Sequence, residues 1–174
     1  MADIPDTIVL KRDRDLAGRG WEIWARRSLF LLLPLVTILA LLNVFGQRPS
    51  AATQSTPRAS LKVFAPSRVR GGLIYQARFT VTAKQDLKRA TLVLDPGWLE
   101  SMSVNTIEPA PLSEASDNGK LSLELGHVPA GRSHILFMQF QVNPTNVGRR
   151  HQNVVLRDGD EQIAVLHRTI TVFP

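Results

Sequence analysis

Residues 28–45 read SLFLLLPLVTILALLNVF, eighteen consecutive positions without a charge. As a helix rising about 1.5 Å per residue, the run covers about 27 Å, close to the hydrocarbon thickness of a bilayer. A buried core helix would show a polar face, and this run has none. Thr37 can bond its own helix backbone, and Asn43 lies near the far end, where its amide reaches an interface. Pro34 frees one carbonyl, which membrane helices tolerate. A cleaved leader is the competing reading, with Ser50-Ala51-Ala52 as the cut. The apolar run is longer than a usual leader core, and 27 residues precede it, so the expectation is an uncleaved anchor over 28–45.

Flanking positive charge orients such an anchor. Lys11, Arg12, Arg14, Arg19, Arg26 and Arg27 precede it, whereas only Arg48, Arg58 and Lys62 lie in the twenty residues after it. Acidic residues count little in this rule. A cytoplasmic tail over 1–27, a cell-membrane span and an extracytoplasmic remainder are expected. Trp21 and Trp24 share one helical face just before the span, where indoles favour the headgroup layer; the rival role is docking a partner subunit. The tail to Gly20 is polar apart from Ile8-Val9-Leu10, cannot bury a core, and reads as disordered.

Composition changes abruptly after Phe45. Residues 46–58 are small and polar with two prolines, which predicts a flexible linker. The segment 59–174 must then fold as one unit. It alternates with period two: Tyr75, Ala77, Phe79, Val81 and Ala83 form one row, and Ala90, Leu92 and Leu94 another. Leu121, Leu123 and Leu125 follow, then Leu136, Met138, Phe140 and Val142. Leu61 and Val63 make a short first strand. Residues 154–156 and 163–166 flank Asp158-Gly159 as a hairpin, and Ile170 and Val172 extend the last strand. Turn signals fall between these runs at Gly71-Gly72, Asp95-Pro96-Gly97, Asn118-Gly119, Pro129-Ala130-Gly131 and Asn143-Pro144. The fold class is therefore mainly β: an Ig-like antiparallel β-sandwich of seven or so strands, preceded by one N-terminal transmembrane helix.

Gly126-His127-Val128-Pro129-Ala130-Gly131 leads into a long apolar strand, and Asn143-Pro144-Thr145-Asn146-Val147-Gly148 leads on to a hairpin. This region, within 59–174, resembles the penultimate-strand region of bacterial immunoglobulin-like and fibronectin-III-like modules of the CARDB or NEW3 kind. The resemblance implies an adhesion or accessory module without catalytic residues of its own.

Chemistry is sparse. The chain has no cysteine, and His127, His134, His151 and His167 are not spaced as a helical zinc pair. His134 and His167 are placed on strands. No nucleophile elbow, phosphate-binding loop or dinucleotide fingerprint occurs. Glu108, Glu114 and Asp117 fall in a stretch read as loop, and Asp158 with Asp160 is a remote calcium option at a turn. No cofactor or metal is expected. The net charge of +6 divides as +1 over 1–27, +2 over 46–58 and +3 over 59–174. No segment is a dense basic stripe with interleaved aromatics, so nucleic acid is not an expected partner.

The loop Asp95-Pro96-Gly97-Trp98-Leu99-Glu100-Ser101-Met102 is the most distinctive. Its Trp98 either plugs one end of the sandwich, the favoured reading, or joins Leu99 and Met102 as a protein-binding knob. Trp21, Trp24, Pro34, Trp98, Leu99 and Met102 are the candidate partner contacts. The expected function is a single-pass, non-catalytic accessory protein whose partners are the lipid bilayer and a membrane or envelope protein. The alternative is an extracytoplasmic sensor of a small ligand or ion that signals through the short tail.

Overall fold

The structure, a computed structural model, describes residues 20–44 and 46–174. The expected disorder of the tail concerns residues that, apart from Gly20, lie outside these. The chain divides into two units, Met1–Val44 and Phe45–Pro174.

In the first unit, helix α1 spans Gly20–Leu41, with Glu22 in its first turn, where the helix dipole favours an acid. It extends eight residues ahead of residue 28, because nothing between Trp21 and Leu33 breaks a helix. It also stops short of residue 45. Asn43 takes the left-handed conformation (φ 55°), its N–H bonds Ala40 O, and the Val44 N–H reaches back to Leu39 O. These paired bonds form a Schellman stop, so Asn43 ends the helix rather than lying within it. Twenty-two residues give about 33 Å, and no side chain on the helix is buried. Thr37 Oγ1 donates to Leu33 O at 2.9 Å, satisfying the hydroxyl within the helix.

The second unit is an Ig-like antiparallel sandwich built from more and shorter strands than the period-two rows suggest. They are β1 (Pro49–Ser55), β2 (Ala59–Pro66), β3 (Arg68–Arg70), β4 (Ile74–Ala83), β5 (Leu87–Leu94), β6 (Met102–Glu108) and β7 (Ser113–Asp117). After these come β8 (Lys120–Val128), β9 (Ser133–Val142), β10 (Gly148–His151), β11 (Val154–Asp158), β12 (Glu161–Leu166) and β13 (Thr169–Phe173). One five-stranded sheet runs β1-β2-β4-β9-β6, a second runs β12-β11-β5-β8-β7, and β10-β13-β3 forms a smaller third. Every pairing is antiparallel except β13 with β3.

The expected inner rows face one shared core. Phe79, Leu92, Leu123, Leu136, Met138 and Phe140 are fully buried in it, and Leu125 nearly so. Leu121 is only half-buried. The β7–β8 turn uses Asn118 (φ 49°) and Gly119 (φ 74°), the two left-handed positions of a tight hairpin.

Three expectations need correction. Residues 46–58 are not a linker throughout: β1 pairs with β2 from Pro49↔Pro66 to Ser55↔Ser60. Its small side chains are nearly all exposed, and only Ala52 packs on the core, so backbone bonds rather than buried surface hold this edge. Ile170 and Val172 do not extend β12; β13 leaves for the third sheet. The stretch after Trp98 is not a loop but β6 and β7, which belong to different sheets.

Candidate interaction surface

Trp98 is buried completely, in a short 3-10 turn (Pro96–Trp98) between β5 and β6. Its ring lies 5.1 Å from Phe79 and 5.3 Å from Phe140, and Tyr75 stacks on Phe140 at 5.3 Å. The indole N–H donates to Asn153 O at 3.2 Å. Met102 is buried, its sulfur 3.3 Å from the Tyr75 hydroxyl, and Leu99 is half-buried against the core. A knob reaching solvent through Trp98 and Met102 is thus excluded, because both side chains are buried in the core. Gly97 is required there: a Cβ would lie 2.0 Å from His151 O.

A polar cluster surrounds this ring. Gln152, fully buried, donates to Tyr75 Oη at 3.1 Å and Gly97 O at 3.4 Å. Arg168 donates to Ala65 O (3.2 Å) and Pro66 O (2.8 Å). Burial pushes the Tyr75 phenol up to about 12 and lowers the Arg168 guanidinium. Gln152 Oε1 and Arg168 Nη1 are buried without a hydrogen-bond partner, and the other polar atoms of these two side chains bond Tyr75 and the backbone.

The histidines do not converge. His127 Nε2 pairs with Asp86 at 2.8 Å, and His167 contacts Asn153 from the connection after β12, not from a strand. His134 does lie on β9, and burial lowers its pKa. Asp158 is taken by Arg58 (2.8 Å) and the Arg89 N–H (2.8 Å), and Glu161 also bonds Arg58. Glu108 lies on β6 whereas Glu114 and Asp117 lie on β7, so Glu108 belongs to a different sheet from the other two. Among the described residues no group of three or more His, Asp or Glu side chains is placed to hold a metal ion.

What the sequence reading missed is the outer face of the first sheet. Register sets Ala51, Phe64, Arg78, Phe137 and Glu108 side by side across five strands. The Arg78 guanidinium lies 5.2 Å over the Phe64 ring, a cation–π contact, and Phe137 stands on its other side. Phe64, Phe137 and Ile135 remain exposed. Gln47, Pro49, Pro66 and Gln76 join Phe64, Arg78 and Phe137 around a shallow groove of about 230 Å³. Ile135 and Phe137, like Phe64, are apolar on the side away from the core, a sequence signal that could have found this face. On α1, Trp21, Trp24 and Pro34 are exposed, and Arg27 lies 5.5 Å over the Trp24 ring.

No family model and no curated protein matches the chain. Among solved structures it is similar to CaCohA2 from Clostridium acetobutylicum, at 16% identity and TM-score 0.44 over 65% of this chain and 89% of that one. A non-cellulosomal cohesin from the archaeon Archaeoglobus fulgidus gives 12%, 0.40, and 63% and 88%. The CARDB domain of a Pyrococcus furiosus protein, solved in complex with di-metal ions, gives 13%, 0.40, and 69% and 98%. At these identities and TM-scores no role follows for this chain from the likeness.

Proposed function

We propose that this is a single-pass membrane protein that works by contact rather than turnover, holding an extracytoplasmic sandwich against a membrane or envelope protein. The observation that carries the reading is the Phe64–Arg78–Phe137 row. Two exposed aromatic rings flank a guanidinium on an ordered sheet, and aromatic residues with arginine are the types that dominate binding energy at protein interfaces. The length and apolar character of α1 support the anchor. Tethering raises the effective concentration of that face for a partner in the same bilayer, so modest intrinsic affinity suffices.

The test is recovery of the full chain in mild detergent. A stoichiometric membrane protein should accompany the wild-type chain and be lost with Phe64→Ser and Phe137→Ser. A solitary monomer that a small ligand stabilises against heat would favour a sensor instead.

A further inference from the structure

Charge is segregated along this chain in a way the fold makes visible. No Asp or Glu occurs in residues 46–85, in 125–157 or after Glu161. These carboxylate-free segments supply all of β10, β13 and β3. On the outer side of that third sheet, Arg149, Thr171 and Arg68 form one cross-strand row, with Phe173 beside Arg70 in the next and His151 beside Thr169 on the other side. Arg68, Arg70 and Arg149 are exposed; Arg70 Nε donates to Pro174 O at 3.3 Å, and among the described residues no Asp or Glu forms a salt bridge with the three.

Two loops border this face and touch each other: a Cβ on Gly71 would lie 2.8 Å from Pro144 O, and the Gly71 N–H bonds Phe173 O at 2.8 Å. They present Leu73 (45% exposed) and Val147 (49%), next to Phe173 (38%). Arginines beside protruding apolar side chains are the composition of a surface that settles on anionic headgroups. The chain also enters the sandwich at this end, since Pro49 pairs with Pro66 just before β3. Residues 42–48, which join α1 to β1, reach at most about 25 Å when fully extended.

We propose that the Arg68–Arg70–Arg149 face, with Leu73, Val147 and Phe173, is a docking surface for anionic lipid. The proposal rests on the anchored reading above, which brings a bilayer within reach, and concerns a different face from the Phe64–Arg78–Phe137 row. Lipid is favoured over nucleic acid because two of the three apolar residues, Leu73 and Val147, are aliphatic and stand on loops beside the charges.

The chain lacks cysteine, so one introduced thiol carries a unique fluorophore. The full chain with Thr145→Cys, or with Ala130→Cys in the turn at the opposite end of β9, is placed in nanodiscs containing a headgroup-quencher lipid. The discs are phosphatidylcholine alone or phosphatidylcholine with phosphatidylglycerol at about 3:1. Quenching at position 145 should rise in the anionic discs, fall in high salt and exceed that at 130. Arg68→Gln and Arg149→Gln should each weaken the docked state about five-fold. Equal quenching in both lipids, equal quenching at both positions, or no effect of the arginine substitutions would overturn the proposal. So would a fluorescence change at position 145 on adding a DNA oligomer to neutral discs as large as the change given by anionic lipid. A chain that does not co-purify with discs at all would instead overturn the anchored reading, and this proposal with it.

Discussion

The Arg168 guanidinium lies 5.1 Å over the indole of Trp98, with its other side bonded to the carbonyls that end β2. One side chain thus joins the central aromatic cluster to the end of the first sheet. Arg168→Ala leaves the Ala65 and Pro66 carbonyls short of a donor and the ring face uncovered, and should cost about 2–4 kcal/mol in denaturant melts. Arg168→Lys should recover less than half of this, since an ammonium that keeps the two carbonyl bonds lacks the flat guanidinium face that covers the indole.

Tyr75 makes stability depend on high pH. Its folded-state pKa of about 12 lies above the ordinary value near 10, so the folded protein holds the phenolic proton more tightly than the unfolded chain. Stability should be unaffected by this group below about pH 10 and fall between about 10 and 12, by about 2–3 kcal/mol in all. Tyr75→Phe should start less stable, having lost the hydroxyl that Gln152 bonds, and should lack that slope. An identical slope in the variant would refute the assignment.

Core and surface phenylalanines should separate cleanly. Phe79→Ala and Phe140→Ala each empty a fully buried site and should cost about 3–5 kcal/mol. Phe137→Ala, on the solvent side of the same strand as Phe140, should cost about 1 kcal/mol or less while weakening partner recovery. Urea midpoints measured on all three decide it.

A fragment of residues 46–174 should give a β-type circular dichroism spectrum and a cooperative melt. Starting at residue 59 instead removes β1, bares the backbone of β2 and should lower the melting temperature or cause aggregation. Equal stability of the two fragments would make β1 dispensable.

The charge asymmetry around α1 predicts an exported C-terminus. A reporter active only outside the cytoplasm, fused after Pro174, should be active; activity only from a cytoplasmic reporter would reverse the orientation.

The inner rows of β4, β5, β8 and β9 are legible in the sequence because each strand buries one face, and burial imposes the period. β7 exposes every residue of Ser-Glu-Ala-Ser-Asp and so carries no period to read. In β6 the register slips between Val104 and Thr106, which breaks the alternation, and β1 contributes backbone bonds rather than apolar surface. The interaction surface was harder still. Phe64, Arg78 and Phe137 are 14 and 59 positions apart, and only the β2–β4–β9 register makes them neighbours. A single Trp98, without repeating companions, gave no periodic signal to separate plug from contact; its partners Phe79 and Phe140 come from other strands.

That β1 is a paired strand also decides how the protein bears load. Force applied at Pro49 along the β1 axis acts across hydrogen bonds that lie perpendicular to it. The seven residue pairs from Pro49↔Pro66 to Ser55↔Ser60 then resist in shear, together rather than one after another. Tension along that axis would therefore load this whole edge of the sandwich at once, and the edge would yield as one block rather than fray residue by residue.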